Sequence, residues 1–344
     1  VTQTYRAIRL ERIAPSFREG SEIVELPLAE PGPGEIRVRN LFCGVNGIFD
    51  TQIARNAVDY VKIAIPTFTG VEAIGIVEAV GAGVTGFALG DAAVTTRFTG
   101  GYREANIGPE SQFTKAPAAT REYLTLASTG VSALVALERI GEIAEGETVA
   151  ISAAAGGLGH LLVQLAALRG CRVIGVAGGK AKCDFVASLG AERVIDYKSE
   201  DVGAILAAEY PRGLDLAVDT VSGSIFDAFL ANLANHGRLV VAGAASDLEG
   251  RPEVVTAPRI AHSLYYKGAS VRGFMNGLLT AHWQDARTRL FALYEEGRIQ
   301  VVFDEERNDG IEGVFDAVER LLSGRSMGKV LVDLAPRPLG TNPA

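Results

Sequence analysis

The chain has 344 residues, 48% of them hydrophobic and 22% charged, and a formal net charge of −8. That length and composition fit two globular domains with ample material for a core. The acidic balance excludes a broad phosphate-binding surface for nucleic acid, although it leaves room for a local basic site.

The first third reads as short strands at residues 35–41, 75–80 and 90–95. They are broken by Pro31-Gly32-Pro33-Gly34 and by the turn at 81–86. Alternating runs between such turn signals predict a compact, mostly β domain. The pattern changes near Arg121, after which residues 123–140 are apolar at helical spacing. A short apolar strand is predicted at 148–153. A helix follows at 156–169, with Leu158, Leu161, Leu162, Leu165 and Ala166 on one face and Gly170 beyond its end. Strands at 172–176, 193–195, 214–218, 238–242 and 270–274 then alternate with helices at 181–189, 202–210 and 225–233. Six strands with intervening helices imply an α/β class, a doubly wound parallel sheet covered on both faces. A helix at 281–296 and a strand-like segment at 329–333 close the chain, and the tail at 336–344 reads as loose.

The segment Ser152-Ala153-Ala154-Ala155-Gly156-Gly157-Leu158-Gly159 lies between a predicted strand and a predicted helix. It reads as G-x-G-x-x-G with Ala154 in the first glycine slot. Gly156 allows the backbone to approach a pyrophosphate, and Gly159 allows tight packing of helix on strand. The free N–H groups at the helix start favour an anion. NAD enzymes of this kind place an acid about 20 residues further on to hold the ribose 2′-hydroxyl. Here that region reads Ala177-Gly178-Gly179-Lys180-Ala181-Lys182, and the first acid, Asp184, falls inside the next helix. A missing carboxylate and two ammonium groups fit a 2′-phosphate, with Lys182 ahead of Lys180, so NADPH is the expected cofactor. The bland alternative is that both lysines are solvated surface charges.

Several further segments accompany this loop. Gly70-Val71-Glu72-Ala73-Ile74-Gly75, Gly81 and Gly90-Asp91 lie ahead of it. Val194-Ile195-Asp196-Tyr197, Asp219-Thr220-Val221-Ser222-Gly223, Gly237-Arg238-Leu239-Val240 and Gly324-Arg325-Ser326-Met327-Gly328-Lys329 lie behind it. Together they resemble the medium-chain dehydrogenase/reductase superfamily, in its zinc-free quinone oxidoreductase and enone reductase branch, nearest to reductases of the 15-ketoprostaglandin type. The resemblance implies a GroES-like β-barrel catalytic domain at 1–123 and 276–344 and a Rossmann NADPH-binding domain at 124–275. It implies cofactor contacts from Ala155, Gly156, Gly157, Leu158 and Gly159 at the pyrophosphate. Gly178 and Tyr197 fall near the 2′-phosphate or adenine, with Gly178 where a serine is frequent. Asn46, Thr129, Ala244 and Phe274 fall on the nicotinamide side, and Ser326 replaces an asparagine of the last motif. The family's aspartate three residues after Asn46 is Phe49 here, with Asp50 one place later. Either the loop is shifted by one residue or the carboxylate's role is lost.

Zinc members of the superfamily read Gly-His-Glu where this chain has Gly70-Val71-Glu72, and carry a cysteine ligand where Asn46 stands. Valine has no donor atom and asparagine is a poor zinc ligand, so no metal site is expected. His160, His236, His262 and His282 show no ligand spacing and read as surface or loop residues. Without a Lewis acid, conjugated substrates are favoured, because hydride addition to an enone spreads its charge onto the carbonyl oxygen. Tyr60 is the candidate proton donor, with aromatic packing as its alternative. Tyr102 reads as a packing residue.

The expected partner is therefore a small enone or quinone. A non-catalytic NADPH-binding protein on the same fold and a zinc-free alcohol dehydrogenase are the competing readings. The three cysteines, Cys43, Cys171 and Cys183, are odd in number and widely spaced. They fit reduced thiols in a cytoplasmic protein. No apolar run reaches the ~18 residues of a membrane span, and the first residues lack the order of a secretory signal. The resemblance also implies a homodimer joined through the strand at 270–274.

Overall fold

The computed structural model describes residues 3–58, 63–246 and 254–334. The chain forms two compact units, one from Val1–Ser128 with Phe303–Ala344 and one from Thr129–Val302.

The first unit is built on antiparallel strands. Strand β1 (Thr4–Leu10) lies between β2 (Ser21–Pro27) and the short β4 (Thr67–Phe68). A second sheet has the order β15 (Leu331–Asp333), β3 (Glu35–Gly44), β5 (Ala73–Val80), β6 (Ala92–Thr95), β8 (Thr114–Ala116), with β7 (Ala105–Pro109) also paired to β3. Strand β3 alternates as a half-buried strand should, with Ile36, Val38 and Asn40 buried and Arg37 and Arg39 half-buried on the other face. Its register with β5 shifts at Arg37/Val38 and again at Asn40/Phe42. Gly75 sits between, where a Cβ would stand 1.9 Å from the Arg39 carbonyl oxygen, so only glycine fits.

Both ends of the chain supply this unit's core. Ile8, Leu10, Phe17, Cys43, Val45, Ile53 and Tyr102 pack with Ile311, Val314, Val318 and Val332. The helix Gly313–Leu322 joins because Val314, Ala317 and Val318 recur at helical spacing and are all buried.

The second unit is a six-stranded parallel sheet of order β11-β10-β9-β12-β13-β14. Its strands are β9 (Thr148–Ile151), β10 (Arg172–Ala177), β11 (Arg193–Asp196), β12 (Leu214–Asp219), β13 (Leu233–Val241) and β14 (Ser270–Gly273). All four residues of β9, at the centre, are buried, as a strand covered on both faces requires. The order reverses between β9 and β12, so a crevice opens outside their carboxyl ends.

Three details differ from the sequence expectations. The helix expected at 123–140 is Arg121–Thr125 and Val131–Val135, each followed by a wider turn, at Leu126–Gly130 and Ala136–Ile140. Gly141 N accordingly reaches back five residues to the Ala136 carbonyl at 2.8 Å. The helix expected from 156 starts at Gly159, because Ala153 turns at φ +43° and residues 152–158 form a loop. Finally, residues 276–302 belong to the second unit, not the first. Asn276 Nδ2 donates to Ser132 Oγ at 3.0 Å, and Arg289 holds Glu138 through two hydrogen bonds, which ties this segment to the helices ahead of β9.

Candidate functional site

In the second unit, most of the expected cofactor residues lie just past the carboxyl ends of the parallel strands. Residues 152–158 follow β9, Gly178 follows β10, Tyr197 follows β11, Ala244 lies beyond β13 and Phe274 beyond β14. Thr129 is elsewhere, in the wide turn Leu126–Gly130.

The loop after β9 is shaped by close approach. A Cβ on Gly159 would stand 2.2 Å from the Ala153 carbonyl oxygen and 2.7 Å from Ala154 Cα. Glycine therefore brings the start of helix α5 (Gly159–Leu168) onto the strand end. A Cβ on Gly156 would meet the same oxygen at 3.2 Å. Helix α5 thus opens against the loop, where His160 N donates to the Gly156 carbonyl at 3.0 Å and Leu161 N and Leu162 N to the Leu158 carbonyl at 3.2 and 3.1 Å.

Two buried side chains, which sequence reasoning missed, brace this edge. Asp219, at the end of β12, accepts from Ser152 Oγ at 2.7 Å and from the N–H groups of Val221 and Ser222 at 2.9 Å. Thr220 N donates to Ser152 Oγ at 2.8 Å. The ends of β9 and β12 are therefore clamped together beneath the crevice. Both residues stood within quoted motifs, but nothing in their spacing announced the bond.

His160 corrects the surface expectation, since it is fully buried. Its Nδ1 lies 3.0 Å from the Gly156 carbonyl oxygen, which can only accept, so the proton is on Nδ1. Nε2 then accepts from Val302 N at 3.2 Å. One turn later, Gln164 exchanges two hydrogen bonds with the Gln300 backbone.

At the end of β10, Gly178 and Tyr197 are interdependent. A Cβ on residue 178 would stand 2.7 Å from the Tyr197 ring and 2.8 Å from its hydroxyl. Asp196, the nearest carboxylate, is already engaged: its Oδ1 accepts from Gly179 N at 2.8 Å and Lys198 N at 3.0 Å. The Gly179 N–H, followed by that of Lys198, holds this carboxyl below its usual range. Helix α6 (Lys180–Ser188) begins there. Lys180 turns to Asp184, at 2.7 and 2.9 Å, on an exposed face. Lys182 lies two residues on, about 200° around the helix, and is half-buried.

The first unit holds a buried polar cluster. Asn46 stands at the head of helix α2 (Gly47–Ala54), in the N-cap position, yet its side chain makes no capping bond. Its Nδ2 instead donates to Glu72 Oε1 at 3.0 Å. Lys329 Nζ meets the same oxygen at 2.6 Å and donates to the Val45 carbonyl at 3.2 Å. Glu72 is 0% exposed and Lys329 4%. Ser326 is buried on the turn leading to Lys329. Asp50, on α2, accepts from Tyr102 Oη at 2.5 Å. The one-residue offset thus leaves a carboxyl inside the unit, while Phe49 packs edge-on to Phe98. Burial raises the Asp50 carboxyl to about 7, against the lowering effect of the Tyr102 bond. Tyr102 packs with Phe17, as expected, and adds this polar bond.

Tyr60 lies outside the described residues. Among the described residues no group of three His, Cys, Asp or Glu side chains is arranged to hold a metal. The donor set also does not suit zinc: Asn46 and Val71 are not ligands for it, and Glu72 is held by Lys329.

Comparison with known proteins agrees with both units. Residues 32–133 match the alcohol dehydrogenase GroES-like domain, and residues 157–295 match the zinc-binding dehydrogenase family. The chain is 33% identical to prostaglandin reductase-3 of Mus musculus, over 99% of this chain and 92% of that one. The chain belongs to the medium-chain dehydrogenase/reductase superfamily. Within this superfamily it is also 31% identical to a probable quinone oxidoreductase of Leishmania amazonensis, over 96% and 98% of the two chains. The Escherichia coli quinone oxidoreductase, solved with NADPH, superposes with a TM-score of 0.82 at 27% identity, covering 95% of this chain and 99% of that one. The zinc in the second family's description does not extend to this member's donors. The positions at issue, Asn46 and Val71, lie outside residues 157–295.

Proposed function

We propose that this superfamily member is an NADPH-dependent reductase that acts on the activated C=C bond of an α,β-unsaturated ketone or aldehyde, or on a quinone. The observation that carries the reading is the edge of the parallel sheet. There, Gly159 lets helix α5 start against the loop after β9. No carboxylate stands in the segment 177–182 after β10, and Asp196 is engaged by backbone N–H groups. That edge suits a pyrophosphate and a 2′-phosphate better than a free ribose hydroxyl.

In this reading Ala155, Gly156, Gly157, Leu158 and Gly159 hold the pyrophosphate. Lys182, Gly178 and Tyr197 take the 2′-phosphate and adenine, while Asn46, Thr129, Ala244, Phe274 and Ser326 serve the nicotinamide half. Bound NADPH supplies a hydride from its nicotinamide C4. The protein holds the β-carbon of the enone in line with it, and the resulting enolate takes a proton at its α-carbon. That proton comes from Tyr60 or from water. A Tyr60→Phe variant with unchanged kcat assigns it to water, and a lowered kcat assigns it to the phenol.

The named relatives include reductases of curcumin and of 2-alkenals, which supports the conjugate-reduction reading. The three free cysteines support a reducing, cytoplasmic setting. Among the described residues strand β14 pairs with β13 alone. Pairing with a second copy along that edge would give a homodimer; a monomeric mass by light scattering would exclude it.

Turnover of an acyclic enone with NADPH deuterated at C4 tests the chemistry. Deuterium at the β-carbon of a saturated ketone product supports it. Deuterium on the carbinol carbon, with the C=C bond intact, assigns carbonyl reduction instead.

A further inference from the structure

Glu72 and Lys329 form a buried ion pair that stability alone does not explain. Taking both charges out of water offsets most of their mutual attraction, so an apolar pair of similar volume would hold the unit about as well. The pair is also unevenly used. Lys329 Nζ and Asn46 Nδ2 both meet Glu72 Oε1, at 2.6 and 3.0 Å. The other oxygen, Oε2, is buried with no hydrogen-bond partner among the described residues. Gly44 makes the space, since a Cβ there would stand 2.2 Å from Oε1.

The bonds to Oε1 dictate which way Asn46 faces. A carboxylate accepts and never donates, so the amide must turn its nitrogen to Glu72. Asparagine at an N-cap ordinarily spends its oxygen on the first helical turn; here no such bond forms. Asn46 is half-exposed, and among the described residues its side chain bonds through Nδ2 and not through Oδ1. Lys329 holds the anion in place and ties the Val45 carbonyl, one residue before Asn46.

We infer that Glu72 and Lys329 are positioning residues. They lock the Asn46 amide with nitrogen inward and Oδ1 outward, as the acceptor for a hydroxyl or carboxamide N–H of the cofactor's nicotinamide half. The inference rests on the reading of Asn46 as a nicotinamide-side residue. The required feature of residue 72 is a hydrogen-bond acceptor facing Asn46, not its charge.

Charge-neutral double variants separate the two. In E72Q/K329M an amide oxygen remains to accept from Asn46; in E72L/K329M nothing does. Thermal melting first confirms that each is folded. The expected result is that E72L/K329M loses kcat about tenfold or more, as Asn46→Ala does. E72Q/K329M recovers most of that loss, and adding Asn46→Ala to E72L/K329M causes no further drop. Equal kcat in the two folded double variants would overturn the positioning role while leaving the reductase reading intact. An Asn46→Ala variant with undiminished kcat and unchanged KM for NADPH would overturn the reading of Asn46 itself. Asn46→Asp tests the same point where the double variants do not fold, because it keeps an outward oxygen but cannot donate to Glu72. Loss of kcat in Asn46→Asp supports the lock, and wild-type kcat contradicts it.

Discussion

Tyr102 donates its phenol hydrogen to Asp50 at 2.5 Å, deep within the first unit, where each residue is 1% exposed. Burial raises the Asp50 carboxyl from 3.8 to about 7. A carboxyl with a raised folded pKa keeps its proton in the folded state while losing it in the unfolded one. Between about pH 4 and about pH 7, therefore, stability falls as pH rises, and above that window the penalty is constant. Asp50→Asn keeps an acceptor for Tyr102 and cannot ionise. It should exceed wild type in stability by on the order of 1–4 kcal/mol at about pH 8 and converge with it near about pH 4. Urea unfolding across that range checks this, and parallel profiles would contradict it.

Gly159 is the tightest point of the loop after β9. Gly159→Ala would drive a methyl group to 2.2 Å from the Ala153 carbonyl oxygen. The helix start must move away from the strand, with a loss of about 1–3 kcal/mol in stability and a weaker grip on NADPH. Thermal melting and NADPH titration read the two effects. A variant that binds NADPH normally would remove this turn from the cofactor site.

Gly178→Ser tests the adenine end. Its Cβ would stand 2.7 Å from the Tyr197 ring, so the ring must leave its present place. We expect KM for NADPH to rise about tenfold, equivalent to ~1.4 kcal/mol, with kcat little changed. A KM that stays the same would show that the Tyr197 ring position is immaterial to binding.

The two lysines of helix α6 should separate. Lys180 is paired with Asp184 on an exposed face, so Lys180→Met should alter cofactor choice little. Lys182→Met should lower the NADPH over NADH preference by about tenfold, the scale of one charge-assisted phosphate contact. Steady-state kinetics with both cofactors decides, and equal effects of the two substitutions would make both plain surface charges.

The second unit was legible in the sequence because parallel strands and their helices are written locally. Five of the six strands lie within two residues of their expected bounds, β13 starts five residues earlier at Leu233, and the turn at 152–159 carries its own glycines. The wide turns at Leu126–Gly130 and Ala136–Ile140 were not legible, since a shift from four- to five-residue bonding leaves the apolar spacing almost unchanged. The segment 276–302 joins the second unit through Ser132 and Glu138, which lie more than a hundred residues earlier and leave no local mark in it. The same distance hid the polar clusters. Glu72 and Lys329 are 257 residues apart, and each on its own looks like an ordinary charged residue. Gly44 was the one local sign, a small residue beside Asn46 where a side chain would collide with Glu72. His160 misled for a similar reason, because its partner is the backbone at Val302.

The most direct test of the account compares initial rates of NADPH and NADH oxidation with an acyclic enone, a quinone and a saturated ketone of similar size. The account predicts turnover of the enone or the quinone with NADPH, much slower turnover with NADH, and none of the saturated ketone. Reduction of the saturated ketone as fast as the enone, or a preference for NADH, would contradict it.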